Sequence, residues 1–229
     1  MTIVDRLYSK KHRIGVVGHR GARATHAENT LAAFRHAIAC GADAVELDVV
    51  VTTDGELAVT HDPVDAAFRD LPAGIPRLED VLELAAGNQM VFDIEMKECG
   101  RLTPEPLDYA RMVLERMGHF DLRERIMIRS FQHEFLRAVH GLRPDVPLAA
   151  LIEQGDDDWV RICEAAHAVC ISPRFNMVTA DAVENAHAAG IAVIVWTVNE
   201  PAEWERMISL GVDAIVTDDP AALVKWLRG

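Results

Sequence analysis

Cationic residues are scarce in this 229-residue chain, where 23 Lys and Arg stand against 36 Asp and Glu and the formal net charge is −13. That balance speaks against a nucleic-acid binder held by phosphate contacts. It leaves room for a small phosphorylated ligand, because a few local cations and a metal reverse the field inside a pocket. Cysteine is sparse as well. Cys40, Cys99, Cys163 and Cys170 form no C-x-x-C pair, which removes the usual zinc ribbon and dithiol redox site. Cys163 and Cys170 sit in apolar context and read as small core residues. Met1 to Arg13 lacks the apolar centre of a signal peptide, and no apolar run reaches transmembrane length. The simplest reading is a cytoplasmic protein with no stable membrane anchor, and Lys10-Lys11-His12-Arg13 as a solvated lead-in. Low-complexity segments and linkers are missing too, so residues 1–229 read as one domain with enough hydrophobic content for a well-buried core.

What is present is a regular alternation. Ile14 to Gly18 reads as a strand ending at His19, and Asn29 as the N-cap of a helix whose Leu31, Phe34 and Ile38 share a face. Gly41 ends that helix. Strand two is Ala44 to Val50. Thr53-Asp54-Gly55 is a turn before a second run, Leu57 to Thr60, and so short a connection makes an antiparallel hairpin. Asp62 to Ile75 is a loop. A helix beginning near Pro76 buries Leu78, Val81, Leu82 and Ala85. Further strands follow at Val91 to Met96, Ile126 to Arg129, Pro147 to Ile152, Val169 to Ser172, Ile191 to Trp196 and Ala214 to Thr217. Between them lie helices at Pro104 to Met117, Phe131 to His140, Asp157 or Asp158 to His167, Thr179 to Gly190 and Glu200 to Leu210, with a last one closing near Leu227. One internal echo supports repetition: Gly41 through Asp48 resembles Gly211 through Asp218. About eight β/α units in one chain predict a (β/α)₈ TIM barrel with a β-hairpin extension after strand two. A doubly wound open sheet is the alternative, and it lacks its G-x-G-x-x-G fingerprint here.

The chemistry gathers between residues 19 and 62. Glu46 and Asp48 are two apart on a strand, so both aim at one spot. They lie inside the apolar run Ala44 to Val51, where carboxylates demand compensation. Two oxygen ligands so placed suit a hard divalent cation, Mg²⁺ or Ca²⁺. The hairpin returns His61 beside Asp48, and His19 ends strand one, which makes the histidines a candidate acid–base pair. At the C-terminal ends of barrel strands, where such folds carry their sites, stand His19, Arg20, Glu46, Asp48, Glu95, Lys97, Trp196, Asn199 and Asp218. Taken singly, an acidic strand pair reads equally as a solvated face, and Trp196 as core packing; convergence of all of them on one mouth is what those readings do not supply.

The ordered set of motifs resembles the glycerophosphodiester phosphodiesterase family. The matching pieces are Gly18-His19-Arg20-Gly21, Glu28-Asn29-Thr30, Glu46-Leu47-Asp48, Thr53-Asp54-Gly55, His61-Asp62, Ile94-Glu95-Met96-Lys97, Ser130-Phe131, Trp196-Thr197-Val198-Asn199 and Gly211 through Pro220. They run in the family's order across nearly the whole chain. The resemblance implies a TIM barrel that hydrolyses glycerophosphodiesters to glycerol 3-phosphate and an alcohol. By it, Glu46, Asp48 and Glu95 resemble metal ligands, and His19 and His61 the general acid and base. Arg20 and Lys97 would contact the phosphate, and Trp196 would line the alcohol side of the pocket. The implied partner is a small-molecule phosphodiester, with a homo-oligomer left open.

Two departures from the family pattern stand out. Ala27 takes the place of the usual proline before Glu28-Asn29-Thr30. More consequential, a short loop, 62–76, replaces the family's longer insertion after His-Asp, so a wider opening is expected there and with it a bulkier alcohol or a lysolipid headgroup. A lysophospholipase D-like phosphodiesterase is thus one alternative, and a non-catalytic phosphoester-binding barrel another. Glycoside hydrolysis would also use paired carboxylates, but Arg20, Lys97 and two histidines fit phosphate better.

Overall fold

A computed structural model describes residues 14–88, 90–120, 122, 125–155 and 158–229. The Lys10–Arg13 segment and Asp157 lie outside the described residues. Eight parallel strands close on themselves in the order β1 (Gly15–Gly18), β2 (Ala44–Val51), β4 (Val91–Met96), β5 (Ile126–Ser130), β6 (Leu148–Ile152), β7 (Cys170–Pro173), β8 (Ala192–Val195) and β9 (Ala214–Thr217), with β9 pairing back to β1. β3 (Leu57–Val59) runs antiparallel to the end of β2, aligning Val59 with Val49. Helices α1 (Leu31–Cys40), α2 (Leu78–Ala86), α3 (Pro106–Gly118), α4 (His133–Leu142), α5 (Trp159–Ala166), α6 (Ala180–Ala188), α7 (Pro201–Ser209) and α8 (Pro220–Leu227) lie between the strands. This is a TIM barrel.

The strands are buried on both faces, which is why they read as apolar runs rather than alternations. Outward side chains such as Val45, Leu47, Phe92, Ile94 and Ile128 join the helix faces in one continuous core. On α2 the buried residues are Leu78, Val81, Leu82 and Ala85, the face expected from periodicity. Inside the barrel a separate, smaller cluster forms from Val17, Ala44, Val91, Met127, Ala149, Cys170, Ala192, Ala214 and their neighbours. The next inward positions upward on β2, β4 and β5 are Glu46, Asp93 and Arg129. The interior therefore changes from apolar to charged along these strands, toward their C-terminal ends.

Local differences from the sequence reading have identifiable causes. The N-cap of α1 is Thr30, whose Oγ1 accepts from the Ala33 N–H at 3.2 Å, and not Asn29. Asn29 takes a left-handed conformation at φ 56° and sends its amide into the barrel instead. Helix α3 begins at Pro106 rather than Pro104, with a proline in its first turn where the missing N–H costs nothing. Helix α4 begins at His133, leaving Phe131 on the strand-to-helix loop. The cap of α5 is Asp158, accepting from Arg161 N at 3.0 Å.

Candidate active site

The first turn after β1 depends on two glycines. A Cβ on Gly18 would meet the Gly21 carbonyl oxygen at 2.1 Å, and one on Gly21, at φ +89°, would meet Ala33 at 2.7 Å. Between them Arg20 is held at φ 48°, a costly conformation for a residue with a Cβ. What the strained turn achieves is visible in its contacts: the Arg20 N–H donates to Glu46 Oε2 at 2.8 Å, and its guanidinium Nε lies 3.1 Å from Asp48 Oδ2. Glu28 accepts from the other arm at 2.8 Å.

Glu46, Asp48 and Glu95 converge. Strand register aligns Asp48 with Glu95, and one carboxylate oxygen from each lies within 4.8 Å of the others. All three are buried. Asn29 clamps Asp48 from both sides, donating from Nδ2 at 2.8 Å and accepting the Asp48 N–H at 3.2 Å. Lys97 Nζ is 3.0 Å from Glu95 and 3.6 Å from Asp48. Burial, then repulsion from Asp48 and Glu95, holds Glu46 well above the usual carboxylate range. Burial and Asp48 push Glu95 up to about 7, against the pull of Lys97. Three converging hard oxygen donors, two of them with pKa values raised by burial and mutual repulsion, fit a further divalent cation. Burial opposes the charge on Lys97, but Glu95 and Asp48 outweigh it and raise its pKa.

Each histidine has an aspartate behind it. His19 Nδ1 is 2.6 Å from Asp218 Oδ1, and Asn199 donates to the other Asp218 oxygen at 2.8 Å. His61 Nδ1 is 2.8 Å from Asp62 Oδ1. A carboxylate only accepts, so the proton sits on Nδ1 and Nε2 is left for chemistry. Burial lowers the His19 pKa, opposed by the hydrogen bond to Asp218. The bond to His61 lowers that of Asp62.

His19, Arg20, Glu46, His61, Glu95, Lys97 and Trp196 all line one cavity of about 270 Å³ at the C-terminal mouth. Asp48 does not line it, being covered by Arg20, Lys97 and Asn29. Arg20 and Lys97, expected as phosphate contacts, are also the carboxylates' ion-pair partners. No residue of 62–76 lines the cavity. That loop folds away: Phe68, in a short 3₁₀ turn (Phe68–Asp70), gives its N–H to Asp54 at 3.0 Å and its ring to Arg77, and Asp65 pairs with Arg101. A larger hollow of about 450 Å³ near Met117, Phe120 and Val146 lies away from all of these groups.

The sequence reading missed Arg129. It sits in the barrel interior, 2% exposed, in register with Glu95, and pairs with buried Asp93 one inward position lower. Its neighbours in register along β6, β7 and β8 are Ala149, Cys170 and Ala192, small enough to admit the side chain. The available signal was Asp93 itself, a carboxylate inside an apolar strand that needs a buried partner. Phe131, Leu151 and Glu153 were missed as lining residues as well.

The family model for the glycerophosphoryl diester phosphodiesterase family matches residues 19–71 and 63–222. A glycerophosphodiester phosphodiesterase of Bacillus altitudinis is 33% identical, covering 92% of this chain and 96% of its own. Another, from Caldanaerobacter subterraneus, is 31% identical over 93% and 97%. In three dimensions the chain superposes with a TM-score of 0.85 on an Oleispira antarctica phosphodiesterase in complex with the product sn-glycerol-3-phosphate, at 22% identity, covering 94% and 97% of the two chains.

Proposed function

The chain belongs to the glycerophosphodiester phosphodiesterase family, and from that premise we propose that the barrel mouth carries out the hydrolysis with Glu46, Asp48 and Glu95 holding a divalent cation and His19 and His61 moving the protons. The observation that carries the reading is the coincidence, in one cavity, of three converging buried carboxylates and two histidines each oriented by an aspartate. A bound Mg²⁺ or Ca²⁺ would supply charge neutralisation for the phosphodiester, whose negative oxygens otherwise repel a nucleophile.

The chain's own groups do the rest. Arg20 and Lys97, fixed by the carboxylates, present cationic N–H groups to the non-bridging oxygens and stabilise charge that grows in the transition state. Burial lowers the His19 pKa against the pull of Asp218, and its Nε2 is placed to take the proton from the attacking hydroxyl. Asp218 stabilises the imidazolium so formed, as the aspartate of a catalytic triad does. His61, more exposed, works in its protonated form: Asp62 keeps the Nδ1–H while the Nε2 proton passes to the departing alkoxide, leaving the ring neutral. The products are sn-glycerol 3-phosphate and an alcohol. A phosphoester-binding barrel without catalysis would have no use for two oriented histidines.

A second reading, cleavage of lysophospholipids, draws support from the loop at 62–76 lying clear of the cavity. The test is release of sn-glycerol 3-phosphate from glycerophosphodiesters, and of the head-group alcohol from lysophospholipids, with divalent cation and with chelator. Chelator-resistant turnover would remove the cation from the mechanism. Preference for the lysolipid would select the second reading.

A further inference from the structure

The two sides of the mouth differ in charge. In the closed order of strands β6 is four places from β1 in either direction, so the residues after β6 face those after β1. On the β1–β4 side are Arg20 and Lys97. The rest of the wall, after β5, β6 and β8, is Phe131, Leu151, Glu153 and Trp196, and the remaining cation lining the cavity, Arg129, is committed to Asp93. Glu153 is exposed and makes no hydrogen bond or ion pair with the described residues, whereas Asp48 and Glu95 each face a cation. Trp196 is fixed by its indole N–H, which donates to the Ser172 carbonyl at 2.8 Å. Phe131 meets it edge to face, ring centroids 5.4 Å apart at 86°. Both rings are only partly buried, so they retain area for a ligand.

Two perpendicular aromatic rings and an uncommitted carboxylate are the elements by which proteins hold ammonium groups, through the ring quadrupole and a point charge. We infer that Glu153, with Phe131 and Trp196, receives the ammonium group of a cationic alcohol, so that the favoured substrates are zwitterionic diesters, their phosphate toward Arg20 and Lys97 and their cation toward Glu153. This rests on the phosphodiesterase reading of the same cavity. Neutral polyol esters lose the attraction, and anionic heads meet repulsion from Glu153.

The experiment compares kcat/KM for sn-glycerol 3-phosphate release from glycerophosphocholine and glycerophosphoethanolamine with that from glycerophosphoglycerol. The probes share the glycerol and phosphate and differ in head charge. An exposed cation–π contact plus an exposed ion pair corresponds to about a 3- to 30-fold preference for the ammonium heads. The variant Glu153→Gln should lower that ratio severalfold, and Glu153→Lys should bring it below one. Added salt should shrink the wild-type ratio. Equal ratios in the wild type and both variants would overturn the inference while leaving hydrolysis intact. Failure of the wild type to release sn-glycerol 3-phosphate from any diester with divalent cation present would instead overturn the phosphodiesterase reading, and this inference with it.

Discussion

Two segments of the barrel begin alike and end differently. Gly41 through Asp48 and Gly211 through Asp218 each close a helix, enter a strand and reach the mouth. Both glycines sit at φ 83°. Asp43 Oδ2 accepts the Val16 N–H at 3.0 Å, and Asp213 Oδ2 accepts the Val193 N–H at 2.7 Å, so each aspartate ties its strand to the neighbouring strand's start. Then the paths part. At the sixth position stands Glu46 in one and Val216 in the other. At the eighth, Asp48 joins the carboxylate cluster, while Asp218 takes hold of His19. The lower part of each unit builds the barrel and the last residues build the chemistry, which is the division expected of this fold.

The sharpest break of the comparison is at the sixth position. Glu46→Gln keeps the shape but removes a cation ligand, so activity should fall by about 10³-fold or more, since several kcal/mol of charge stabilisation are lost at 1.36 kcal/mol per decade. Circular dichroism and thermal unfolding should show the fold retained; a collapsed fold would give Glu46 a structural role that Val216 fills in the other segment.

Next comes the histidine behind the hairpin. His61→Ala should lower kcat by ~10²–10³-fold on an alkyl diester. A nitrophenyl ester, whose leaving group departs unprotonated, should be largely spared. Equal loss on both esters would take the acid role from His61.

At the eighth position, Asp218→Asn should cost about 10- to 100-fold and move the acid limb of the kcat/KM profile. The sign follows from the groups around His19. Burial lowers its pKa while the Asp218 hydrogen bond and charge raise it, so removing that charge lowers the pKa further. A base that must be neutral then stays active to lower pH, and the limb shifts down. An upward shift would contradict the assignment of His19.

The smallest effects belong to the shared part. Gly211→Ala has room, its nearest neighbour being Val183 at 3.9 Å, so only the left-handed backbone is penalised, by about 1 kcal/mol. Gly41→Ala carries the same penalty and a closer approach, 3.2 Å to Arg228. Thermal denaturation should show both losses with kcat unchanged in the folded fraction.

Much of this was legible in the chain itself. The eight apolar runs specify the strands because both faces are buried, and the i, i+2 spacing of Glu46 and Asp48 already aims two carboxylates at one point. What escaped were pairings between distant residues. His19 and Asp218 meet across 199 positions through closure of β9 on β1, and no local period reveals that. Asn29 looked like a helix cap because its side chain suits one; only the fold shows that Asp48 claims it and that Thr30 caps instead. Arg129 was hidden by the same logic, a cation in an apolar strand whose partner Asp93 lies on another.

The central claim is that the carboxylate cluster holds the cation on which turnover depends. Calorimetric titration of Mg²⁺ or Ca²⁺ into metal-stripped protein, with sn-glycerol 3-phosphate release measured at each addition, tests it most directly. The account predicts one equivalent bound, activity rising in step with occupancy, and binding at least tenfold weaker in Glu46→Gln. Full activity in the stripped protein before any cation is added, or unchanged affinity in Glu46→Gln, would contradict it.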